Sequence, residues 1–224
     1  DTLLNTQVLN DRDVIIGPLY NRQFNELVDF YKYEKRKKLI SPLSYKQVSG
    51  NYTNSYQVVP IPQIQVNALT NYISDIYDDQ RLVVIGQESE RKLINFTKRK
   101  LDVLSYNNAQ YVIFEDDQMP TKEDVKQFFV AEENIVFVPS NDRAFVSRLL
   151  PVLGSLRDTS FIVAGLDSWN RFENLDMDDL VKLNVHLPSV FLQKNDSMHA
   201  DFVINFHEKF RSYPSKYSYA AYKQ

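Results

Sequence analysis

The chain has 224 residues, enough for one large domain or two small ones with a sizeable core. Its 43% hydrophobic and 25% charged residues exclude a disordered or collagenous chain. The 26 basic residues against 29 acidic ones leave a net charge of −3, which excludes the basic footprint of a nucleic-acid binder. With no cysteine, disulfides, iron–sulfur clusters, thiolate zinc sites and a cysteine nucleophile are excluded too. The longest apolar stretches run four or five residues, too short to cross a membrane.

In chain order, residues 2–10 read as a helix and Val14-Ile15-Ile16 as a strand that stops at Gly17-Pro18. Phe24, Leu27, Val28 and Tyr31 then recur at helical spacing. The cluster Lys35-Arg36-Lys37-Lys38 reads as a solvated helix end, where cations suit the dipole. Leu39-Ile40 forms a strand ended by Ser41-Pro42, and residues 56–59 another, closed by Pro60 and Pro62. Ile64, Leu69, Tyr72, Ile73 and Ile76 mark a helix, followed by the strand Leu82-Val83-Val84-Ile85-Gly86. A helix over 88–100 leads to a strand over 111–114. Thr121 with Asp124 three residues on opens a further helix as a capping box. A strand over 135–138, a helix over 142–153 and a strand over 161–164 complete the series. Short apolar runs separated by helices predict βαβ units, hence an α/β fold with parallel sheets.

Open parallel sheets bind ligands outside the carboxyl ends of their strands. Those loops are Gly17-Pro18-Leu19-Tyr20-Asn21, Ser41-Pro42-Leu43-Ser44-Tyr45, Gly86-Gln87-Glu88-Ser89, Pro139-Ser140-Asn141-Asp142 and Gly165-Leu166-Asp167-Ser168-Trp169. Each carries a hydroxyl, amide or carboxylate where a helix begins. Ser, Asn and Asp also sit there as ordinary N-caps, with no ligand involved.

Two segments resemble the type I periplasmic binding proteins, the branched-chain amino-acid-binding and receptor-ligand-binding family. They are Asp13-Val14-Ile15-Ile16-Gly17-Pro18 and, after a helix, Leu39-Ile40-Ser41-Pro42. Tyr56-Gln57-Val58-Val59-Pro60 is similar to that family's first crossover strand, and Tyr213-Pro214 through Tyr217 to Tyr222 to its Tyr-rich return. The resemblance implies a two-lobed, three-layer αβα fold with Rossmann-like parallel sheets, incomplete at both ends. It assigns residues 1–61 plus 189–224 to a first lobe and 62–188 to a second, with crossings at Pro60-Pro62 and Pro188.

The resemblance also implies a site. Tyr20, Asn21, Leu43, Ser44 and Tyr45 would line the first lobe, and Gln87, Ser89, Ser140, Asn141 and Asp167 the second. Asp167 would meet a ligand ammonium, since such a charge-assisted bond is strong away from water. Leu19-Tyr20-Asn21 and Leu43-Ser44-Tyr45 replace the family's small Ser- and Gly-rich turns, which reshapes or fills the pocket.

Other constellations are weaker. Gly17, Gly50, Gly86, Gly154 and Gly165 stand apart, so no phosphate-cradling loop exists and no nucleotide cofactor is expected. His186, His199 and His207 read as surface residues, the last two eight apart and unable to chelate as an i, i+4 pair. Glu115-Asp116-Asp117 and Asp176-Met177-Asp178-Asp179 lack the calcium-loop pattern, so no metal is expected. No serine lies in a Gly-x-Ser-x-Gly elbow. Tyr45, Tyr52, Tyr56, Tyr213, Tyr217, Tyr219 and Tyr222 suggest an aromatic contact surface, or a coding bias toward tyrosine.

The function implied is non-catalytic. A small polar solute, an amino acid or short peptide, is held between two lobes and passed to an ABC permease, in an exported bacterial protein of the periplasm or outer membrane. The alternative is an envelope lipoprotein with a vestigial cleft that acts in protein–protein contact, with a peptidoglycan-associated protein as a partner, or in regulating peptidoglycan synthesis.

Overall fold

A computed structural model describes residues 7–48, 52–77, 80–106, 108–129, 133–156, 159–189, 197–215 and 218. Residues 1–188 form one compact unit and 189–224 a second. The first unit opens with a 3-10 turn over Gln7–Leu9, where a helix over 2–10 was expected; residues 2–6 lie outside the described residues. Strand β1 (Val14–Ile16), helix α1 (Asn21–Tyr31) and strands β2 (Lys38–Ser41) and β3 (Ser55–Gln57) follow. They make a parallel sheet in the order β1-β2-β3, with Ile16 beside Ile40 and Ile40 beside Tyr56. The apolar stripe of α1 (Phe24, Leu27, Val28, Tyr31) packs with Leu39 to form its core. The opposite face of the sheet leaves Val14, Ile16 and Tyr56 exposed.

Lys37 departs from the expected solvated helix end. α1 has already stopped at Tyr31, and Lys37 is buried just before β2. Its Nζ donates to the carbonyls of Leu9, Asn10 and Arg12 at 2.7, 3.2 and 2.6 Å and lies 4.8 Å from the Tyr31 ring centre. Three acceptors and an aromatic face satisfy the ammonium, so burial costs little.

Helix α2 (Pro62–Ile76) starts directly after the crossing segment, with Pro62 where a missing N–H costs nothing. Then come β4 (Leu82–Gln87), α3 (Arg91–Val103), β5 (Ala109–Phe114), α4 (Lys122–Lys126), β6 (Glu133–Phe137), α5 (Arg143–Gly154), β7 (Ser160–Ala164), α6 (Met177–Lys182) and β8 (Val185–His186). The expected capping box forms at Thr121 and Asp124. The five strands are parallel, in the order β5-β4-β6-β7-β8. One core gathers Phe145, Leu149, Leu153 and Trp169, and another gathers Val66, Ile73, Ile94 and Leu101. With helices on both faces, every residue of β4 is buried, as a doubly covered parallel strand should be. The second unit contains α7 (Ser197–Phe210), where the rings of Phe202, Phe206 and Phe210 meet in succession, edge-on and then tilted.

Candidate functional site

The order β5-β4-β6-β7-β8 reverses between β4 and β6, so the crevice at their carboxyl ends is where such a sheet binds ligands. Gln87 ends β4, and its Nε2 donates to the Asp116 carbonyl at 3.1 Å. The Ser89 amide donates to Asp116 Oδ1 at 2.9 Å. Hydrogen bonds from the Ser89 amide and hydroxyl hold the Asp116 carboxyl below its ordinary range. Glu88, bonded to Arg91, is lowered likewise. Between these residues and β6 stands Glu90, whose Oε1 accepts from the Asn141 amide at 2.8 Å across the switch point. Burial, with the nearby Asp142 charge, pushes the Glu90 carboxyl up, against hydrogen bonds with the Ser140 side chain and the Asn141 and Asp142 backbone that lower it.

Ser140 is fully buried, and its hydroxyl accepts from the Asp142 amide at 3.0 Å. Its carbonyl accepts from the indole N–H of Trp169 at 2.9 Å, which ties the loop after β7 to the loop after β6. Asp167 opens a 3-10 turn over Asp167–Arg171. Its amide donates to Gln65 Oε1 at 3.0 Å, and Gln65 Nε2 donates to the Pro60 carbonyl at 3.1 Å. One buried amide side chain thus joins the crossing segment to the Asp167 loop.

At the first sheet, Gly17 takes φ +98°, a conformation open to glycine, as the chain turns out of β1. Tyr20 is 75% exposed. Asn21 donates to Ser44 Oγ and to the Lys46 carbonyl, both at 3.1 Å, and Gln57 donates to the Ser44 carbonyl at 2.6 Å. The loop after β2 is thereby pinned to α1 and β3. Leu43 is half-buried. The guanidinium of Arg171 lies 4.4 Å from the ring centre of Tyr45 and, through Nη1, 3.5 Å from Asp167 Oδ2. Arg171 therefore connects a loop of the first sheet to a loop of the second.

The expected residues fall into groups. Asn21 bonds Ser44, Tyr45 meets Asp167 through Arg171, Gln87 and Ser89 converge on Asp116, and Ser140 and Asn141 gather at Glu90. Tyr20 is exposed and takes no part in these contacts. Gln57, Gln65, Glu90 and Arg171 were not singled out from the sequence. Glu90 and Arg171 sit one and four residues from positions that were, so widening each loop into the next helical turn would have found them.

A separate cavity of about 630 Å³ lies between α2 and β8, lined by Leu69, Tyr72, Asn184, His186 and Leu187. It includes none of the expected residues. His186, expected at the surface, is half-buried there, its Nδ1 2.9 Å from the Tyr72 hydroxyl. In the second unit the His207 ring stacks on Tyr213. The side chain of His199, and Tyr217, Tyr219 and Tyr222, lie outside the described residues. Among the described residues no three His, Asp or Glu side chains gather as a metal site, and no helix is long and apolar enough to cross a membrane.

No protein-family model matches the chain, and no curated protein matches it. Solved structures do. An ABC transporter substrate-binding protein from Desulfitobacterium hafniense is 16% identical with a TM-score of 0.65, over 99% of this chain and 65% of that one. A leucine binding protein from Thermotoga maritima is 15% identical with a TM-score of 0.54, over 96% and 63%. A branched-chain amino acid transporter substrate binding protein from Streptococcus pneumoniae, in complex with isoleucine, is 14% identical with a TM-score of 0.55, over 99% and 64%. The fold is that of the type I periplasmic binding proteins. The chain spans a little under two thirds of the length of these structures. The two parallel sheets and alternating helices of this periplasmic-binding-protein fold are as the sequence predicted.

Proposed function

We propose that the chain is a non-catalytic solute-binding domain of an exported bacterial protein, serving ABC-type uptake. It takes a small polar solute, an amino acid or short peptide, between lobes built on its two sheets. Tyr20, Asn21, Ser44 and Tyr45 face the solute from one side, and Gln87, Ser89, Ser140, Asn141 and Asp167 from the other. The observation that carries this is the fold. Nearly the whole chain matches substrate-binding proteins, one of them solved in complex with Leu. Polar side chains also collect at the carboxyl ends of β4 and β6, where the strand order reverses.

One observation favours the second reading, a vestigial cleft used for protein contact. Asn21, Ser44 and Ser140 are bonded within the chain, and Asp167 faces Arg171. A thermal-shift screen against amino acids, short peptides, sugars and muropeptides separates the two. A true ligand at about a hundred times its Kd adds about 2.7 kcal/mol and raises Tm by roughly 5–10 °C. A flat response from folded protein would overturn the solute-binding proposal and leave the contact role.

A further inference from the structure

If the chain binds a solute, as proposed, the pairing around Arg171 bears on which chemical group the site receives. Asp167 is the carboxylate placed to meet a ligand ammonium, yet its side chain is 11% exposed and lies 3.5 Å from Arg171 Nη1. Asn170 Nδ2 donates to its other oxygen at 3.4 Å. An incoming ammonium must displace a cation held four residues away on the same turn, whose effective concentration is millimolar or more. It must also strip Asp167 of a charge-assisted contact before making its own.

A carboxylate meets the opposite situation. The Arg171 side chain is 37% exposed, with Tyr45 against the guanidinium at 4.4 Å. A guanidinium carries five N–H donors in a planar fork, and Asp167 takes up the Nη1 corner. A ring contact engages the delocalised charge and not a particular N–H, so donors beyond Nη1 can meet a second anion. The ring and Asp167 together fix the fork before any ligand arrives, so less side-chain entropy is lost on binding. Two carboxylates around one arginine would repel each other, but the Arg171 charge offsets one of them and the fork contacts the second directly.

We infer that Arg171, held by Asp167 and Tyr45, is the specificity-determining residue of the site, and that it selects solutes presenting a carboxylate with no ammonium beside it. Tyr45 acts as a positioning residue through Arg171. Among the small polar solutes proposed above, this narrows the ligand to monocarboxylates and away from free amino acids.

The test is calorimetric titration of the full 224-residue chain with matched probes. 3-Methylbutanoate and phenylacetate present the anion alone, 3-methylbutylamine and phenethylamine the cation alone, and leucine and phenylalanine both. The carboxylates are expected to bind and the amines not to. Arg171→Gln should weaken the carboxylates about 10- to 100-fold and, by freeing Asp167, let the amines bind. Arg171→Lys keeps the charge but loses the fork and should fall between, while Tyr45→Ala removes the ring that positions the guanidinium and should weaken the carboxylates about two- to fivefold without admitting the amines. Emission from Trp169 and far-UV circular dichroism confirm that each variant is folded. Amines or zwitterions bound in preference to the carboxylates would overturn the inference and leave the solute-binding proposal standing. So would carboxylates bound equally well by Arg171→Gln. No heat from any of the six probes would overturn the inference together with an amino-acid-sized solute site.

Discussion

Gly165→Ala perturbs the joint that holds two of the site loops together. A Cβ built at Gly165 comes within 2.6 Å of three atoms of the Trp169 ring. The indole is 2% exposed and its N–H donates to the Ser140 carbonyl. A rigid ring packed in the core cannot swing aside as the end of a flexible chain can. It must shift bodily, and the hydrogen bond lengthens. Overpacking of this kind costs about 1–3 kcal/mol and the lost bond about 1 more. A total of about 2–4 kcal/mol lowers Tm by roughly 5–15 °C in a chain of this size. Gly154→Ala is the control. Its Cβ would meet only Asp179 Oδ1, at 2.8 Å, the tip of a movable side chain, and Gly154 closes a helix. That substitution should be neutral or gain up to about 1 kcal/mol from helix propensity. Thermal unfolding followed by emission of Trp169, the single tryptophan, reads both stability and local packing. Gly165→Ala should unfold earlier, with red-shifted native emission. An unchanged Tm and unchanged emission would refute the argument that the indole is locked between β7 and the Ser140 loop.

Two other expectations concern buried charge. Burial raises the folded Glu90 carboxyl above its ordinary 4.5, so the folded state holds that proton more tightly than the unfolded one. The penalty is absent below the unfolded value and complete once pH has risen through the folded one. Glu90→Gln keeps an oxygen for the Asn141 amide and removes the penalty, so the variant should gain on wild type as pH rises above the ordinary carboxylate range in urea unfolding. A variant less stable than wild type at neutral pH would contradict this. Lys37→Met strands three carbonyls that share one ammonium and should cost about 2–3 kcal/mol. Lys35→Met, at an exposed position, should stay within about 0.5 kcal/mol. Equal losses in guanidinium unfolding would show that Lys37 is no more engaged than its neighbour.

The helices legible in the sequence are those whose own residues settle them. α1 shows its buried stripe at helical spacing, and α4 its capping box at Thr121 and Asp124. The strands legible there are the apolar runs of β4, β6 and β7. β8 is two residues long, and α6 has no buried residue. Neither carries enough apolar pattern to stand out, and each is held by what lies beside it in space. The site divides the same way. Asn21, Ser44, Ser140 and Asp167 could be named because they lie in the loops that follow parallel strands or open the next helical turn. Gln65 and Glu90 could not, because their partners lie 102 and 51 residues away. Lys37 looked like a surface cation because nothing near it in sequence shows that three carbonyls from residues 9–12 enclose it.

The sequence by itself determined the alternation of strand and helix, the caps, and therefore which loops lie at the carboxyl ends of parallel strands. Those properties depend on neighbours within about four residues, where periodicity and capping act. Tertiary structure alone decided the order β5-β4-β6-β7-β8, which puts the switch point between β4 and β6. It also decided that Arg171 reaches both Asp167 and Tyr45. The Tyr45 contact, like the strand order, joins groups far apart in the chain. Their pairing is settled by burial and charge complementarity between whole elements once those elements are packed, which no local pattern records.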